Sequence, residues 1–301
     1  MQPLKRPTAL ALALSALLLA ALACSAPFTQ PTVVITVVAP TAAQPVENPT
    51  LPPPTAVPTE ALPTPIPPTP AEPLLQANFN GVSFAYPQSL TGNVSAEVVP
   101  ASNGGPGGML FEIYPAHTKF TLNNYLLANT FHTPQVLIYP VAEYVAMNEY
   151  VGETITSLQS VLVTQPTNPE ALPFLPMFPA AQMMQSNIAY LNFANGQGVR
   201  YLTEFAQYFA PINNHDLIYT FQGLTNDGAY YVAVILPISH PSLPPDADTA
   251  MVGQDFNTFA DNYPTYIANL EANLSALDGV SFAPGLPTLD ALVQSITITQ
   301  P

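Results

Sequence analysis

This chain has no tryptophan, one cysteine and four basic side chains in 301 residues. Each shortage excludes something. With Cys24 alone no intrachain disulfide forms, so a folded part must be held together by its core. Lys5 and Arg6 sit at the start, which leaves Lys119 and Arg200 against all 19 carboxylates. That balance repels nucleic acid and anionic headgroups, so neither is expected as a direct partner. Charged residues are only 8% of the chain, and solubility falls to its Asn, Gln, Ser and Thr. The 14 tyrosines and 15 phenylalanines read as core and cross-strand pairs. A tyrosine-lined groove for a sugar would lack tryptophan, the strongest stacking side chain.

Catalytic signatures are missing as well. No Gly-x-Ser-x-Gly elbow occurs. No glycine loop ends in a lysine that could cradle phosphate. The four histidines, His117, His132, His215 and His240, are scattered without a His-x-x-x-His pair. No metal and no cofactor is therefore expected. Asp246-Ala-Asp248 followed by Asp255 offers oxygen ligands for calcium, but the spacing departs from known loops and reads as a solvated acidic loop.

What is present begins with a basic start and the apolar run Ala9 to Ala23, which ends directly at Cys24. A membrane span needs ~20 apolar residues, so this shorter run describes a secretory signal. Ala21-Leu22-Ala23-Cys24-Ser25 resembles the lipobox of bacterial lipoproteins, with Ala21 where leucine is commonest. The resemblance implies a diacylglycerol on the Cys24 thiol, cleavage of residues 1–23, and acylation of the new N-terminus. Several chains hold a protein stably to a membrane where one does not. Ser25 resembles the context that sorts lipoproteins to an outer membrane, so the expected location is the cell membrane or outer membrane, facing away from the cytoplasm.

Residues 24–73 form a Pro/Thr-rich linker. From residue 25 to 73, 15 positions are Pro and nine are Thr. Proline fixes φ and removes a donor, which predicts a disordered, extended spacer rather than a helix or ladder. At ~3.1 Å per residue its upper reach is ~150 Å. Val33 to Val38 is a β-prone stretch too isolated to fold alone.

Residues 76–301 read as one globular domain. Strands are predicted at Gly81 to Tyr86, Asn93 to Val99, Met109 to Tyr114 and Gln135 to Tyr139, with a turn at Ser102 to Gly108. Val141 to Val163 changes to helical spacing, as one helix or a broken pair. A loop with outward Phe174, Met177 and Phe178 follows. Two hairpins come next: Met183–Phe193 with Val199–Phe209 around Asn195-Gly196, and Leu217–Leu224 with Ala229–Ile238 around Asp227-Gly228. Helices are predicted at Asp255 to Leu277, interrupted at Tyr263-Pro264, and at Leu286 to Ile296, with Thr288 as N-cap and Pro287 disturbing the start. The class is α+β, mainly antiparallel sheet with packing helices. Gly81-Val-Ser-Phe-Ala-Tyr-Pro, the central hairpins and the end Leu289-Asp-Ala-Leu-Val-Gln-Ser-Ile296 are similar to the PsbP/Mog1-like α/β/α sandwich. That resemblance carries no functional residues across.

Arg200 and Glu204 are the candidate site. They share a strand face by period two, either as an ion pair or with Arg200 as the landing point of an anionic ligand. His215-Asp216 lies beside a predicted strand; there, adjacent residues would point to opposite faces and form no dyad. The function expected is a non-catalytic binding or accessory module on a stalk, with an envelope protein or small ligand as partner. The alternative is a secreted hydrolase with a nonstandard site built from His117, His215 or His240 and nearby carboxylates.

Overall fold

The computed structural model describes residues 72–299. The signal, Cys24 and almost the whole Pro/Thr-rich stretch lie outside the described residues.

The chain opens with a hairpin of β1 (Leu74–Phe79) and β2 (Val82–Pro87), followed by β3 (Thr91–Val99). A short excursion carries β4 (Ser102–Asn103), a single 3₁₀ turn at Leu110–Glu112 and β5 (Ile113–Tyr114). β6 (His117–Tyr125) and β7 (Gln135–Pro140) lead into α1 (Val141–Met147) and α2 (Glu149–Thr164). β8 (Ala181–Gln182), β9 (Ser186–Phe193), β10 (Gly196–Thr203) and β11 (Phe205–Ala206) precede β12 (Ile218–Thr225) and β13 (Tyr230–Pro237). The last part holds α3 (Ala247–Met251), α4 (Phe256–Asp261) and α5 (Tyr263–Ala276). It closes with α6 (Leu286–Gln294) and β14 (Thr297–Ile298).

Seven strands form one sheet in the order β3-β6-β7-β13-β12-β10-β9, with every neighbour antiparallel. Its period-two side chains feed two cores. Tyr231, Ala233 and Ile235 of β13 face α1, α2 and the Leu172–Leu175 loop. Val232, Val234 and Leu236 face α5, α6 and β2. The central strand is therefore apolar along its whole length, because neither face meets water. The described domain is α+β, with helices on both faces of an antiparallel sheet.

Local chemistry explains the breaks. Asn148 ends α1 and caps α2, accepting from Tyr150 N at 3.2 Å. The Val141–Val163 segment is thus a pair of helices. Proline 264 sits in the first turn of α5, where its missing donor costs nothing. For the same reason Pro287 fits the start of α6; the cap is Gly285, and Thr288 lies inside the helix. The third predicted strand shrinks to β5, because Leu110–Glu112 turn instead of extending. Phe174, Met177 and Phe178 do not face outward; they pack against the second core. Gly196 is not at a turn centre with positive φ. It lies in β10, where a Cβ would meet Phe193 Cζ at 2.0 Å and Leu224 O at 2.4 Å.

Candidate functional site

Arg200 and Glu204 lie on the same side of the sheet but do not meet. Four extended residues span ~13 Å, too far for a direct bond along one strand. The partner of Arg200 comes from another element. Its Nε and one terminal nitrogen donate to the two oxygens of Asp290 on α6, each at 3.1 Å. Its other nitrogen donates to Asn187 O. That carbonyl lies in β9 where the β9–β10 register shifts, two residues opposing one. Tyr219 of β12 donates its hydroxyl to the same Asp290 at 2.9 Å. All three Arg200 nitrogens are engaged and the residue is only 8% exposed, so the geometry favours the ion-pair role over an anion's landing point. Arg200 is a staple holding α6 to three strands.

Glu204 has a different environment. It is 1% exposed, just beyond β10, and accepts from Asn213 N at 3.0 Å and, weakly, from Asn213 Nδ2 at 3.5 Å. Asn213 also donates Nδ2 to Asp216 at 2.9 Å. His215 Nδ1 meets Asp216 Oδ1 at 2.8 Å. Here the sequence reading needs correcting: His215 and Asp216 precede β12 in a turn, where adjacent side chains can converge. Burial pushes the Glu204 carboxyl up to about 8, opposed by the Asn213 N–H and reinforced by the Asp216 charge. Beside it, burial drives His132 down to about 4, and its Nε2 has no partner among the described residues. His132 lies flat on Phe178, ring centres 5.2 Å apart.

The remaining histidines are apart and engaged. Ser242 N donates to His240 Nδ1 at 3.1 Å, so the ring proton sits on Nε2, facing Ser281 Oγ at 3.2 Å. Ser281 donates its own proton to Asp278 O at 2.6 Å. In that tautomer Nε2 offers Ser281 a proton instead of taking one, while Nδ1 lies 2.7 Å from Ser242 Oγ. His117 Nδ1 lies 2.9 Å from Pro115 O, and its ring packs against Tyr139 and Tyr114. Burial lowers its pKa. Asp246 and Asp255 are spent as caps, accepting from Thr249 N at 2.7 Å and Thr258 N at 2.9 Å. Among the described residues, no group of three or more His, Cys, Asp or Glu is placed to hold a metal ion.

Sequence reasoning missed an apolar groove on the surface. A groove of about 510 Å³ runs between the Pro179–Met183 segment and Ala206–Phe209, closed by Phe256 of α4. Its lining is Pro, Ala, Met and aromatic except for Gln207, whose Nε2 is used by Pro179 O at 2.8 Å. Tyr208, Phe209 and Phe256 are 59%, 47% and 48% exposed, a large apolar area to leave in water. Phe209 rests on Tyr263 of α5, ring centres 4.8 Å apart. The signal was present as Tyr208-Phe209-Ala-Pro, but only tertiary pairing of β8 with β11 brings Ala181 and Ala206 together as its floor. A second, polar cavity of about 340 Å³ is bounded by Glu170, Gln182, Gln185 and Glu271. Neither includes a histidine.

No family model, curated protein or solved structure matches this chain.

Proposed function

We propose that the chain is a lipid-anchored extracytoplasmic binding module, tethered through Cys24 and a Pro/Thr-rich spacer, whose domain holds an apolar ligand or partner segment in the Tyr208–Phe209–Phe256 groove. The observation that carries this reading is the groove itself: bare aromatics around a floor of alanines with no charged side chain. Its volume falls within the ~300–1,000 Å³ of small-molecule sites. The basic start, the apolar run and Cys24 support the anchor. Among the described residues no helix is long and apolar enough to cross a membrane, which leaves barrel-type spans unaddressed. The hairpin β1–β2 and helix α6, both packed on one face of the sheet, support the finer PsbP/Mog1-like reading of the fold.

The hydrolase alternative rests on His215–Asp216, the one histidine–carboxylate pair in contact among the described residues. No hydroxyl or thiol bonds the other His215 nitrogen among the described residues, so the pair lacks a nucleophile and would act on water alone.

Fractionation tests the proposal. Wild type should pellet with membranes, whereas Cys24→Ser should remain an unprocessed precursor without the lipid mass. Phe209→Asn with Phe256→Asn should fold and stay anchored, yet lose whatever apolar molecule co-purifies. An equal load on wild type and double variant argues against the groove. Ester hydrolysis abolished by His215→Ala would favour the alternative.

A further inference from the structure

We propose that the groove of the preceding section is gated by a proton: protonated Glu204 keeps the Phe205–Asp216 segment docked as the groove wall, and ionised Glu204 releases it. The inference rests on that groove reading, and the tests below separate the two.

The geometry is a carboxyl group enclosed at the root of an irregular loop. Glu204 immediately precedes β11 and is 1% exposed, and the loop it begins supplies Ala206, Gln207, Tyr208 and Phe209 to the groove. Past Phe209 the chain turns back, and Asn213, wholly buried, sets its backbone N–H on Glu204 Oε2. The Asn213 side chain then ties the loop to itself, with Nδ2 on Pro211 O at 3.1 Å and Oδ1 receiving His215 N at 3.0 Å and Asp216 N at 3.2 Å. Asn213 thus organises the inner side of the return and leans on Glu204, while Asn214 ties the far end to His240 and Leu243.

The surroundings decide what a charge there would do. Within the segment, Asp216 faces Glu204 across Asn213, with His215 behind it. His132 approaches Asp216 from the β6–β7 loop. From α5 come Tyr263, whose hydroxyl donates to Ala210 O, and Tyr266, whose oxygen accepts from Ile212 N. Behind it, just past β8, Met183 N donates to Glu204 O. No cation is in this set. Arg200 is committed to Asp290, and Lys119 reaches Glu97 on the edge strand. A carboxylate here would have one residue's amides as donors and a second carboxylate across them. An ion so poorly compensated is relieved most cheaply by admitting water. The segment that can move is the loop: it has no regular structure between Gln207 and Leu217, and local opening draws on such regions. Opening carries Tyr208 and Phe209 away from Phe256, which dismantles the groove.

Hydrogen exchange of the full chain, corrected for intrinsic rates, measures the gate. Protection across residues 205–216 should fall about tenfold per pH unit above the ordinary glutamate value near 4.5 and level off above about 8, where the docked carboxyl itself ionises. Glu204→Gln, which cannot ionise, should keep the loop protected through pH 9. Asp216→Asn removes the opposing charge and makes the docked carboxyl easier to ionise, so the fall should level off at a lower pH than in wild type. Flat protection in wild type, the same fall in Glu204→Gln, or a levelling point that Asp216→Asn leaves in place would each overturn the gate. Should Glu204→Gln fail to fold, the Asp216→Asn shift decides. Free benzophenone, photolysed on the chain and mapped by mass spectrometry, reports the groove. Insertion at Met183 and Phe209 below pH 7 that disappears above pH 9 supports the gate. Insertion at both pH values overturns the gate and leaves the groove standing. Loop opening without insertion at any pH overturns the groove as the thing gated.

Discussion

Arg200 shows how one side chain can be read correctly by face and wrongly by partner. Its predicted partner, Glu204, lies two strand steps away on the same side, while Asp290 arrives from α6 with two oxygens at bidentate distance. Breaking such a buried pair from one side costs ~3–5 kcal/mol, because the other charge stays buried. Arg200→Met should therefore lower thermal stability strongly, and Asp290→Asn alongside it should restore part of the loss. Melts of both singles and the double should give a coupling of ~1–3 kcal/mol. The cycle of Arg200 with Glu204 should be additive, and coupling there instead would contradict the assignment. Glu204 makes its own prediction. Unfolded, its carboxyl releases a proton near 4.5; folded, near 8. Between these values the folded chain holds more protons, so stability falls as pH rises, at ~1.4 kcal/mol per unit for one proton, and levels above 8. His132 is held down to about 4, so it opposes that slope between 4 and 6.5, and His117, also lowered by burial, acts in the same sense below 6.5. The net fall should be visible from pH 6.5 to 8 by urea denaturation. Glu204→Gln should abolish it and be the more stable chain at pH 8.

At the scale of elements, the β9–β10 hairpin carries the sharpest prediction. Gly196 faces Phe193 and the Leu224 carbonyl at distances no Cβ tolerates, so Gly196→Ala should destabilise by more than ~2 kcal/mol. Gly228, at φ 70° with open space around it, should lose only the smaller backbone cost of a left-handed residue. Equal losses in chemical denaturation would contradict the packing argument. The two central hairpins, β7 and the helix pair α1–α2 were legible because local pattern and final environment agree there. β6 was not: Phe120 and Leu122 alternate with Thr and Lys, but His117 before them and Asn123-Asn124 after them blur its ends. β1 escaped notice because Leu74 and Leu75 are exposed and its neighbours are proline-rich sequence. Pro287 and Thr288 misled about α6, since proline in a first turn is a start signal. The site was the least legible part. Asp290, Asn213 and Phe256 lie 90, nine and about fifty residues from the groups they serve, and no periodicity links them.

For the whole molecule, labour is divided on the proposed reading between an address and a domain. A strongly acidic surface gives no purchase on anionic headgroups. Under that reading, attachment depends on lipid at Cys24 and binding on the apolar groove bordered by Tyr208, Phe209 and Phe256. If the Pro/Thr-rich stretch is a spacer, limited proteolysis should cut within residues 25–73 and release a folded fragment beginning near Leu74. Resistance throughout would mean that it packs on the domain. Native mass spectrometry of the full chain, extracted from its own membrane, addresses anchor and groove together. The account predicts residues 24–301 carrying covalent lipid on Cys24, plus a dissociable apolar adduct that Phe209→Asn with Phe256→Asn removes. A chain of unmodified or precursor mass, or a lipidated chain with no adduct that depends on those two residues, would contradict it.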